Sequence, residues 1–130
     1  MITSIIPRFL LDEEALVELS DMGVKYDTGS VTIGKCKVNC IRVYNLTECQ
    51  VFDKLESKAL LEDKATDAEL KTYSSRNLAI IFMQLSRIKN IKDKDLRSAA
   101  TCSILAAVNS LAVIDPRQAS RFLPIIRGII

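Results

Sequence analysis

At 130 residues, 48% apolar and 26% charged, with a formal net charge of +2, the chain has the composition of one ordinary globular domain, which argues against disorder. It contains no histidine, which removes the commonest general base, metal ligand and physiological pH switch together. Residues 1–65 carry 8 Lys+Arg against 11 Asp+Glu and residues 66–130 carry 10 against 5, so the halves stand at −3 and +5, a polarity that suits head-to-tail or acidic-partner contacts without demanding nucleic acid.

The opening MITSIIPRFLL is apolar, but Pro7 and Arg8 break it and Asp12, Glu13 and Glu14 follow, so it reads as neither a signal peptide nor a membrane span. Ile5, Phe9 and Leu10 form a short extended or helical lead-in. Asp12 is placed to cap a helix, with Leu11 and Leu16 as a hydrophobic staple, Ala15, Leu16, Leu19 and Met22 facing inward, and Gly23 ending it.

From Val24 to Leu46 the period becomes alternating and β-branched residues are frequent. Val31 and Ile33 share one parity, Cys36, Val38 and Cys40 the other, and Gly34 is the natural place for the change, as a bulge or a tight turn. Asp27-Thr28-Gly29-Ser30 predicts an earlier turn, and the whole predicts a small antiparallel sheet of two or three strands with Lys35, Lys37 and Arg42 on the wet side.

Thr47 with Gln50, and Thr66 with Glu69, match capping boxes that launch two helices. The first, ending near Asp63, turns Phe52, Leu55 and Ala59 to one side. The second carries a stripe of Leu70, Tyr73, Leu78, Ile81, Leu85 and Ile88, and because Leu78 to Met83 is apolar without interruption it is expected at the centre of the core.

A third helix starts at Asp93, with Asp95 in its first turn. One stripe is Leu96, Ala100, Ile104, Ala107, Leu111 and Ile114; a second, Ala99, Ser103, Ala106 and Ser110, is small enough for a neighbouring helix to approach closely. Asp115, Pro116 and Gln118 then predict a sharp restart through a capping box, with a kink or early end near Pro124.

This run of a helix, an Asp93-Lys94-Asp95 turn, a helix with Leu96-Arg97-Ser98-Ala99-Ala100, and a proline-started helix ending Leu123-Pro124-Ile125-Ile126 resembles one and a half HEAT repeats over about residues 70–130. The resemblance implies helix pairs stacked in series as a scaffold for other proteins, with no catalytic residues.

The cysteines, Cys36, Cys40, Cys49 and Cys102, lack the CxxC pairs of zinc sites, and a Cys-only site would need Cys102 as a remote fourth ligand; they read as reduced, buried thiols of a cytoplasmic protein with no metal and no cofactor. Cys36 and Cys40 alternate onto one face and are the one hint of an enzyme. Asn45-Leu46-Thr47 matches the glycosylation pattern by chance.

The expected fold is α+β and mainly helical: one domain over 1–130, in which a small antiparallel β element within residues 1–65 packs on an antiparallel helical bundle formed by the three-helix segment 66–130. The expected function is a non-catalytic structural or protein–protein interaction subunit, an adaptor in a cellular complex or virus particle, with protein partner or self-association and no membrane. Phe122, Ile126 and Ile130 on one side of the last helix, and Arg117 and Arg121 on another, are the partner-binding candidates. The alternative is nucleic-acid binding by Arg87, Lys89, Lys92, Lys94 and Arg97, helped by Lys35 and Lys37, although interleaved acids weaken the field and no aromatic residue stands by to stack on a base.

Overall fold

The computed structural model describes residues 3–61 and 66–129 and, within them, all side chains but those of 57–61, 66–69 and 71. The fold is α+β and mainly helical. In chain order the elements are strand β1 (Thr3–Pro7), a 3-10 turn (Arg8–Leu10), helix α1 (Glu13–Asp21), strands β2 (Tyr26–Ile33) and β3 (Cys36–Tyr44), then helices α2 (Glu48–Leu61), α3 (Thr66–Ile88), α4 (Lys94–Leu111), α5 (Pro116–Ser120) and α6 (Leu123–Ile129).

The sheet has the order β1-β3-β2 and is antiparallel throughout. The hairpin turn is Gly34-Lys35, since Ile33 pairs with Cys36 across it; Gly34 has φ +59 at the first central position, a conformation that favours glycine in two-residue hairpin turns. The expected turn at Asp27–Ser30 is instead the middle of β2, paired with Arg42 to Asn39. Gly29 fits there because the Arg42 guanidinium lies across it, 3.2 Å from where a Cβ would stand.

Local capping explains most helix starts. Asp12 accepts from the Ala15 N–H at 2.8 Å, and Asp93 from the Asp95 and Leu96 N–H groups at 2.9 and 3.1 Å. Thr47 and Gln50 make the reciprocal box at 3.2 and 2.9 Å. α3 begins at Thr66, while the box expected from Thr66 and Glu69 rests on side chains outside the described residues. Asp115 accepts from the Gln118 N–H at 3.1 Å, but the Gln118 amide does not return the bond to the cap; it donates to the Phe9 carbonyl at 2.8 Å, tying the start of the chain to α5. The proline-started helix divides in two at Arg121 and Phe122. Pro124 then sits in the first turn of α6, where its missing N–H leaves no bond unmade.

α3 is the spine: it touches α2, α4 and β1, and Leu78, Ala79, Ile81, Phe82, Leu85 and Ile88 are buried. Its expected stripe holds from Leu78 onward, whereas Leu70 and Tyr73 are exposed and Ser74 takes the inward position. Ile6, Ile41 and Val43 from the sheet, Leu16 and Leu19 from α1, Val51 and Phe52 from α2, and Ile104, Val108 and Leu111 from α4 complete one contiguous core. Arg76 of α3 holds α2 through Asp53 and, at 2.6 Å, Glu56.

Candidate interaction surface

The end of the chain is packed from inside. Phe122 and Ile126 are 0% and 1% exposed, and Phe122 meets the Phe9 and Phe82 rings edge-on at 5.6 and 6.5 Å. They therefore cannot form an exposed docking face, which corrects that expectation: the amphipathic side of α5 and α6 faces the core of its own chain. Ile130 lies outside the described residues. Arg117 and Arg121 are exposed, with the Arg121 guanidinium 5.3 Å from the centre of the Phe9 ring, a cation–π contact that holds its charge over that ring.

The basic segment is also partly committed within the fold. Lys89 donates to the Thr32 carbonyl at 3.2 Å and Arg97 to the Ile91 carbonyl at 3.1 Å. Arg87, Lys92 and Lys94 remain exposed, with Asp93 and Asp95 among them, and Lys35 and Lys37 are exposed at the hairpin. Positive charges dispersed in this way make a weak footprint for an anionic backbone.

The thiols differ. Cys40 is buried and pushed up to about 11 by loss of solvent, against the smaller opposing influences of the Val31 backbone and the Arg42 charge. That is the reverse of an activated nucleophile. Partial burial first, then the charge of Glu48, raises Cys49. Cys36 donates to the Pro124 carbonyl at 3.4 Å. Cys102 is exposed on α4, so the expectation that all four are buried does not hold there. Among the described residues, no three Cys, Asp or Glu side chains are grouped so as to hold a metal, and no helix is long and apolar enough to cross a membrane. Open hollows among the described residues include one of about 540 Å³ beside Asp12, Glu14, Glu18 and Arg117, and one of about 690 Å³ beside Arg8, Lys37 and Arg121.

The distinctive surface is the outer side of α4. The buried side is Thr101, Ile104, Val108 and Leu111, with Thr101 satisfied by donating to the Arg97 carbonyl at 2.7 Å. The expected inward stripe is thus displaced: Ile104 and Leu111 are inside, Leu96 is 58% exposed and Ala107 is also exposed. The small stripe Ala99, Ser103, Ala106 and Ser110 is exposed along its whole length. Val113, 87% exposed, extends it at the far end. No charged residue occurs between Arg97 and Asp115, so the outward face is uncharged for most of the helix. A solvated helix face ordinarily carries Lys and Glu; an uncharged one bounded by exposed Leu and Val is suited to contact with another protein surface. The signal was present in the sequence as that uncharged run, but the small stripe read there as an internal helix contact.

No protein-family model matches the chain, and no curated protein or solved structure matches it at a significant level.

Proposed function

We propose that the protein is a non-catalytic structural or interaction subunit of a larger assembly, an adaptor that docks through the outer face of α4. The observation that carries this is the exposed, uncharged row from Leu96 to Val113, a surface with apolar contact to offer and no charge to hold water. The raised Cys40 thiol supports a chain that binds without transforming, because it is a poor nucleophile near neutral pH. A scaffold role, as the likeness to HEAT repeats implies, belongs to the same proposal.

Cys102 lies in this face and reports on it. Docking predicts that Cys102 alkylates several-fold more slowly in a gently prepared extract of the source cells, where the assembly persists, than in the purified chain at about 1 μM. Equal rates in the two would contradict docking through α4.

A further inference from the structure

We propose that the open edge of β3 beside the hairpin takes an extended acidic segment of a partner protein as an added strand. β1 pairs with β3 only from Tyr44 back to Cys40, because its last residue, Pro7, stands opposite Cys40 and the chain then coils into the 3-10 turn at Arg8. The rest of β3, Cys36 to Asn39, pairs with β2 on one side and with no strand among the described residues on the other. In a two-residue hairpin the closing pair, here Ile33 and Cys36, is hydrogen-bonded and the bonding alternates from there, so Cys36, Val38 and Cys40 bond β2. The N–H and C=O groups of Lys37 and Asn39 therefore point to the open side, where no main-chain group among the described residues takes them.

This edge is one wall of the hollow of about 690 Å³. The consecutive residues Cys36, Lys37, Val38 and Asn39 all line it, which a strand does along its edge and not on a face, where only every second residue shows. An open strand edge recruits an extended chain by completing the ladder. Charge decides which kind of chain. Arg8, Lys37 and Arg121 line the hollow and no acidic residue does. Arg8 is shared with Glu13, whereas Lys37 and Arg121 have no carboxylate partner among the described residues. Lys37 and Asn39 are exposed on one face of the strand and Val38 is buried on the other, so an added strand sets acidic side chains beside Lys37 and apolar ones at the alternate positions. About four residues of edge, at roughly 3.3 Å each, suit a short segment. None of the lining residues belongs to α4, so this site stands or falls separately from docking through α4.

The experiment is fluorescence anisotropy of the full chain with a labelled peptide of about six residues that alternates glutamate and valine. It is compared with the same peptide carrying lysine for glutamate, with one N-methylated at the glutamate nitrogens and with one N-methylated at the valine nitrogens. In an antiparallel added strand the glutamates lie opposite Lys37 and Asn39 and turn their N–H groups to β3, while the valine N–H groups turn away. The acidic peptide should bind with a dissociation constant below about 1 mM, the lysine and glutamate-methylated peptides at least about tenfold more weakly, and the valine-methylated peptide within about threefold. Lys37→Glu and Arg121→Glu should each weaken binding by about fivefold or more, and Lys92→Glu, an exposed change of equal charge outside the hollow, should not. All three replaced side chains are exposed, and circular dichroism confirms that each variant folds; if Lys37→Glu or Arg121→Glu does not, the other carries the test. No binding of the acidic peptide up to about 1 mM, equal binding of the two methylated peptides, or binding that survives both charge reversals overturns the proposal.

Discussion

Gly34 and Gly128 meet backbone to backbone: a Cβ on Gly34 would stand 2.4 Å from the Gly128 carbonyl oxygen. The hairpin tip is thereby seated on α6, which joins the two ends of the fold without any side chain between them. Gly34 also has φ +59, so a side chain there is strained twice. Gly34→Ala should destabilise the chain by about 2–4 kcal/mol in urea unfolding. Gly128→Ala meets the Lys35 nitrogen at 3.1 Å, with the Gly34 Cα and the Ile33 carbonyl at an ordinary 3.9 Å, and gains up to about 1 kcal/mol of helix propensity, so it should cost much less. Equal losses would mean that the tip is not seated as described.

Ile126 lies inside the core at 1% exposure. Ile126→Asp buries a carboxylate with no partner and should unfold the chain, at a cost of more than about 4 kcal/mol. A folded, soluble variant by circular dichroism would return Ile126 to the surface and reopen the last helix as a docking element.

Ser74 is fully buried on α3 and its hydroxyl has no hydrogen-bond partner among the described residues. An unpaired buried hydroxyl is a liability, so Ser74→Ala should be neutral or stabilise by up to about 1 kcal/mol. Thr101, equally buried but bonded to the Arg97 carbonyl, is the contrast: Thr101→Val breaks a made bond and should destabilise by about 1 kcal/mol. Thermal unfolding of the pair checks the opposite signs.

Cys40 gives a pH signature. Burial pushes its thiol up to about 11 from an ordinary 9.0, so the folded chain keeps a proton that the unfolded chain releases. Between about pH 9 and pH 11 the unfolded state binds fewer protons and stability falls as pH rises, by up to about 3 kcal/mol from this group. Below pH 9 both states hold the proton and the contribution is flat. Tyr44, raised chiefly by its hydrogen bond to Asp27, acts in the same direction, so the measurement is the difference in alkaline slope between wild type and Cys40→Ala. In the dilute native chain Cys102 should alkylate first and Cys40 last.

What was legible in the sequence was local. Asp12, Thr47 with Gln50, Asp93 and Asp115 cap helices through bonds to residues two or three positions away, so the pattern alone locates them. What failed required knowledge of distant partners. Asp27–Ser30 has turn chemistry, yet pairing with β3 and the Arg42 side chain over Gly29 hold it extended. On α4, Ala and Ser give almost no hydrophobic contrast, so the sequence could not fix the phase; Thr101 goes inside by bonding to its own helix while Leu96 stays out. For α5 and α6, Phe122 and Ile126 were found on the apolar side and Ile125, also buried, was missed, but amphipathicity does not say whether the cover is the same chain or another. Here it is Phe9 and Phe82 around Phe122.

The most direct measurement places a photo-activated cross-linking side chain at position 106, on the outer row of α4, or at the control position 17, and irradiates the protein at its natural abundance in the source cells. Docking through α4 predicts one discrete adduct from position 106 and none from position 17. No adduct at 106, or the same smear from both positions, would contradict it.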